Sequence, residues 1–146
     1  MLRQIWDMPL GTVGFEGIGK VEDDDFERTV EPVLRGEMAA GHKIRLLYLL
    51  GPGLREYEGD TLAEEMKFAA RHPTQYERVA VVSDEDWLRP ALRVLSVLVP
   101  GQLRAFPVAQ VAAAKEWLAT ADGDGTGDGT GDGTGDGTGD GTGDKA

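Results

Sequence analysis

Apolar side chains recur with several different periods between Leu2 and Ala119, and each change of period predicts an element. Leu2 to Met8 reads as a first strand, closed by Pro9 and Gly11. From Thr12 to Val21 the apolar Val13, Phe15, Ile18 and Val21 are interleaved with Gly14, Gly17 and Gly19. That pattern predicts a second strand, paired to the first as a hairpin, whose glycines point to a bulge or a close backbone approach. Phe26, Val30, Val33, Leu34 and Met38 then follow a helical spacing that ends at Gly41, with Asp23, Asp24 and Asp25 at its start. Asp24 and Glu27 have the separation of a capping pair, and Pro32 inside the pattern predicts a kink.

Lys43 to Leu50 is almost continuously apolar, as expected of a strand covered on both faces, and Gly51-Pro52-Gly53 breaks it. Thr61 and Glu64 form a capping-box signature for a helix through Leu62, Met66, Phe68 and Ala69 to His72, with Pro73 beyond. Arg78 to Ser83 is another buried strand, Trp87 to Val99 a helix, Leu103 to Phe106 a last strand, and Ala109 to Ala119 a short helix. The order β-β-α-β-α-β-α-β-α predicts a single α/β domain over residues 1–121, with a mostly parallel sheet and an N-terminal antiparallel hairpin.

The helix from Trp87 to Val99 is unusual. A surface helix normally carries one apolar stripe, whereas Leu88, Ala91, Leu92, Val94, Leu95, Val97, Leu98 and Val99 cover most of this one's circumference. It reads as a buried core helix, a homodimer face, or a surface for lipid or an apolar ligand. Trp87, Leu88, Leu92, Leu95 and Val99 are the expected surface, with hinges at Pro90 and Pro100-Gly101. Four or five exposed side chains of this size would form a patch that monomers rarely tolerate.

Charge and composition narrow the function. The net charge of −11 divides into −6 from residue 122 onward and −5 over residues 1–121, where 14 basic groups face 19 acidic ones. A phosphate-tracking nucleic-acid surface needs a basic stripe, so nucleic acid is not an expected partner. With no Cys there is no disulfide, thiol nucleophile or thiolate metal site. The first residues lack an apolar core of signal-peptide length, and no apolar run reaches the ~20 residues of a membrane span. A cytoplasmic protein, with peripheral membrane contact through the apolar helix, is the expectation.

Chemical motifs are sparse. His42 and His72 have no metal-ligand spacing between them, and a His at a helix C-terminus is explained by the macrodipole. Asp84, Glu85 and Asp86 lie where parallel sheets place ligands, but also where a helix start favours acids, and Ser83 with Asp86 fits a further capping box. Gly51-Pro52-Gly53 lacks the order of a phosphate loop, and Gly14 to Gly19 falls within a strand pattern. No catalytic residue, metal site or cofactor is expected. From Asp124 the unit Asp-Gly-Thr-Gly repeats five times, to Gly143. Residues 122–146 are therefore expected to be a disordered tail, without the bidentate Glu or the aliphatic residues that calcium loops and rolls require.

The stretches VGFEGIGKV, DDDFERTVEPVL, KIRLLYLLG and ERVAVVSDEDWLR, followed by VPGQLRAFP and AAAKEWLA, resemble the SpoIIAA-like proteins, small bacterial relatives of the STAS and CRAL-TRIO folds. The resemblance covers about residues 4–119. It implies a four- to five-stranded sheet and no established enzymatic activity. STAS relatives are switchable protein-interaction modules, and CRAL-TRIO relatives hold lipids beneath a movable helix. Anti-sigma antagonists of this kind carry an Asp-Ser-Ser-Gly-type phosphorylation motif after the third strand, where this chain has Gly51 to Thr61. Thr61 is the nearest hydroxyl and the candidate switch. The expected function is a non-enzymatic module for an apolar or lipid-like ligand, or for membrane association, through the Trp87–Val99 helix. The alternative is a STAS-type protein-interaction module.

Overall fold

In the computed structural model of the protein, residues 1–98 and 102–120 are described. Val99, the Pro100-Gly101 pair and the repeat tail anticipated from residue 122 lie outside them. The strands are β1 (Leu2–Ile5), β2 (Val13–Gly17), β3 (Gly19–Val21), β4 (Ile44–Leu50), β5 (Leu54–Tyr57), β6 (Tyr76–Ser83) and β7 (Gln102–Phe106). The helices are α1 (Asp23–Asp25), α2 (Glu31–Ala39), α3 (Gly59–Arg71), α4 (Leu88–Leu98) and α5 (Val111–Ala119). A π-helical turn, Phe26–Val30, joins α1 to α2, and a 3-10 turn, Val108–Gln110, leads into α5.

The main sheet has the order β1-β2-β4-β6-β7. β1 and β2 are antiparallel, and every other pair in it is parallel. This is the architecture that the alternation of elements predicts. Along β4, Leu46, Tyr48 and Leu50 point to one face, and Leu47 and Leu49 to the other. β6 divides in the same way, with Val79 and Val81 opposed to Ala80 and Val82. The first face meets Phe26, Val30, Leu34, Phe68 and Leu88, so the helices preceding β4, β6 and β7 all pack on one side. The second face is covered by α5 through Ala114 and Leu118.

Several expectations need correction, and one, the close backbone approach, holds. The stretch Thr12 to Val21 is two strands, because Ile18 interrupts it and Gly19 takes φ +63°, a conformation open to glycine at little cost. Its second part, β3, leaves the main sheet and pairs in parallel with β5, in the segment expected to be only a break. Gly17 ends β2 where a Cβ would come within 2.8 Å of Leu50 Cδ2, so the close approach is real. The first helix is capped two residues earlier than expected: Asp25 Oδ2 accepts from the Glu22 N–H at 2.8 Å.

Pro32 sits in the first turn of α2, and its disturbance takes the form of the π turn just before it, with the Glu31 N–H bonded to the Phe26 carbonyl. Proline lacks an N–H and clashes with the carbonyl four residues back, and a widened turn relieves that clash. Finally, α3 starts at Gly59 with Glu58 as its cap residue, so Thr61 is inside the helix and does not cap it.

Candidate functional site

α3 and α4 present matching stripes to each other above the sheet. On α3 these are Leu62, Glu65, Met66 and Ala69; on α4, Leu88, Ala91, Leu92 and Leu95. Both follow the i, i+3, i+4, i+7 spacing of a helix face turned inward. Between them and the sheet lies a cavity of about 60 Å³, floored by Leu46, Tyr48 and Leu50 of β4 and by Val79 and Val81 of β6. Phe26, Tyr57 and Tyr76 complete its described lining, and the space is partly open. Its walls are almost wholly apolar.

The exception is Glu65. Its carboxylate accepts a hydrogen bond from the Tyr57 hydroxyl at 2.5 Å and a longer one from the Tyr48 hydroxyl at 3.3 Å. Desolvation among apolar walls pushes Glu65 up to about 7, although both tyrosines oppose the shift by bonding to the charged form. Tyr48 and Tyr57 are raised well above the usual phenol value, first by burial and then by the Glu65 charge. Tyr76 moves upward for the same two reasons. Among the described residues no salt bridge includes Glu65; the two hydroxyls are its hydrogen-bond donors, and the side chain is half-buried.

The expected site residues are distributed unevenly around this cavity. Leu92 and Leu95 line it and are half-buried. Leu88 was expected at the surface but is buried, at 5% exposure, because it is the first inward position of α4 and packs into the core. Trp87 is exposed and sets its ring 5.9 Å from that of Tyr57, over the entrance to α4. Val99 lies outside the described residues. The helix is thus not uniformly covered: Val94 and Val97 face outward, at 52% and 82% exposure.

Thr61 is fully buried, and its Oγ1 has no hydrogen-bond partner among the described residues. A kinase would reach it only after the first turn of α3 opened. Ser83 does not cap α4; its Oγ accepts from the Glu85 N–H at 3.1 Å. Both histidines are engaged locally, His42 with Glu37 Oε1 at 3.1 Å and His72 with the Phe68 carbonyl at 2.9 Å. Among the described residues no group of three or more His, Cys, Asp or Glu could hold a metal ion, and no helix is long and apolar enough to cross a membrane.

Glu65 was missed from the sequence. A signal for it existed, since the acid occupies an inward position between Leu62 and Ala69 on an otherwise apolar stripe. Its partners gave none, because Tyr48 and Tyr57 come from strands of different sheets.

A family model described as SpoIIAA-like matches residues 12–119. Among solved structures, the chain is similar to an uncharacterized protein of the DUF3478 family with a SpoIIAA-like fold, from Shewanella loihica PV-4. That likeness has 20% identity and a TM-score of 0.60 and covers 80% of this chain and 93% of the other. No curated protein matches the chain.

Proposed function

This chain belongs to the SpoIIAA-like family, and on that basis we propose that it is a non-enzymatic binding module that takes an apolar small molecule into the cavity beneath α4. One observation carries the reading: the void between the facing stripes of α3 and α4 is bounded almost entirely by apolar side chains. The space is a partly open cleft, half-buried at Leu62, Met66, Leu92 and Leu95. A guest seated in it gains dispersion contacts with those side chains and about 25 cal/mol for each Å² of apolar surface withdrawn from water. At about 60 Å³ the cavity suits a short chain, or the end of a longer one that displaces Leu92 and Leu95.

Organic extraction of the purified full-length protein, followed by mass spectrometry, tests this reading. An apolar compound released in stoichiometric amount is the expected result. An empty extract, from protein that also ignores neutral and anionic liposomes, counts against it.

A second reading is favoured by the outer edge of α4, where Trp87, Val94 and Val97 remain exposed. There the protein would act as a STAS-type interaction module, with a second copy of the chain as the simplest partner. The same edge would serve peripheral membrane contact from the cytoplasm. Sedimentation over a range of concentrations separates the cases: Val97→Lys should shift a dimer toward monomer, and a wild-type chain that is monomeric throughout removes the homodimer.

A further inference from the structure

The cavity beneath α4 has a chemical polarity that its apolar volume does not explain. A carboxylate offers about four lone-pair positions, and among the described residues only two hydroxyls donate to Glu65, Tyr57 across both oxygens and Tyr48 to Oε2, which leaves part of that capacity untaken in a side chain that lines the cavity. Among the described residues every other group lining the space is apolar or is a phenol that donates more readily than it ionises.

Building on the binding role proposed above, we propose that the occupant is a hydrophobic amine, whose ammonium group pairs with the Glu65 carboxylate while its chain lies against Leu46, Leu50, Leu92 and Leu95. An ammonium supplies three N–H donors and the positive charge that this carboxylate lacks. A fatty-acid anion brings a second negative charge into the same low-dielectric space and is excluded by repulsion. An alcohol supplies one donor and no charge.

The pairing also sets a pH dependence. The titratable groups facing Glu65 are Tyr48 from β4, Tyr57 from β5 and Tyr76 from β6, with Asp25 of α1 acting on Tyr57. Among the described side chains of α4, those that face the cavity are Leu88, Ala91, Leu92 and Leu95. All three phenols stay neutral through the physiological range, and a simple amine, like Lys at about 10.4, stays protonated there. Glu65 is therefore the group that changes charge, and amine binding strengthens as it ionises.

Titration calorimetry on the full chain with n-butylammonium, 1-butanol and butanoate, at pH 8 and pH 5, tests the proposal. At pH 8 butylammonium should bind at least about 10-fold more tightly than butanol, the factor expected of a hydrogen bond to a charged group, and butanoate more weakly than either. The preference should shrink by about 10-fold at pH 5, where Glu65 is protonated, and should vanish in Glu65→Gln at pH 8. The wild-type pH comparison keeps the test independent of how the variant folds. Butanol or butanoate binding as tightly as the amine overturns the amine assignment and leaves the apolar module standing. A preference that survives Glu65→Gln overturns it equally. If none of the three binds, the module and its ligand class fall together.

Discussion

Glu65 concentrates the chemistry of the described residues in one side chain. An acid held near 7 by burial binds its proton more tightly in the folded chain than in the unfolded one, where the ordinary value of 4.5 applies. Its contribution to stability is therefore fully present below pH 4.5 and is lost as pH rises through about 7. Glu65→Gln removes the charge but keeps the shape. The variant should match the parent near pH 4.5 and exceed it by roughly 1–3 kcal/mol at pH 8. Urea midpoints across that range give the answer, and a difference that does not vary with pH rejects the burial account. Thr61 presents the converse case, a buried hydroxyl without a partner. Replacing it by Val keeps the volume and removes the unsatisfied polar atom, so Thr61→Val should stabilise the protein by about 1 kcal/mol. A lower melting temperature would show that the hydroxyl makes a contact in solution.

At the level of elements, α4 joins two behaviours on one helix. Its inner stripe completes the core: burial of a side chain such as Leu88 contributes about 1.5–3 kcal/mol, and Leu88→Ala should cost about 2–5 kcal/mol once the resulting void is included. Its outer edge is uncoupled from that packing. Val97→Lys should change monomer stability by less than about 0.5 kcal/mol, as is usual for exposed positions, while still altering any self-association. Chemical denaturation of the two variants at one protein concentration separates these roles, and similar losses from both would contradict the two-sided helix. Sequence periodicity alone did not reveal this division, because Val94 and Val97 are as apolar as Leu92 and Leu95. Only the placement of the sheet separates a lining position from an exposed one.

On the scale of the whole molecule the sheet is covered unequally. The helices before β4, β6 and β7 share one face, and the other is left to α5. Two arginines reach across to hold that last helix. Arg45 Nη1 donates to the Leu118 carbonyl at 2.7 Å, and Arg78 Nη1 to the carbonyls of Trp117 and Thr120 at 2.6 Å. These bonds satisfy carbonyls that a helix C-terminus leaves open, with the charge the macrodipole favours there. Arg78 also stacks its guanidinium 5.0 Å from the Trp117 ring centre. Arg78→Met should therefore loosen α5 from β6 at a cost of about 1.5–3 kcal/mol. Amide exchange should rise first over residues 111–120, and uniform protection across that helix would refute the clamp.

Strand and helix order followed from local chemistry. The nearly continuous apolar runs of β4 and β6, the helical spacing on α3 and the punctuating glycines each act over a few residues, so the alternating α/β architecture was legible without coordinates. The pairing of β3 with β5 was not, since L-R-E-Y has no strand signature and is ordered by a backbone more than thirty residues away. The site follows the same division. An acid on an apolar stripe is visible in sequence, but the apolar space around it, its two tyrosine donors and the burial that moves its titration arise only when β4, β5, α3 and α4 converge. Periodicity encodes which face of an element turns inward; what waits on the other side is a property of the packed chain, because distance in space is not written in distance along it.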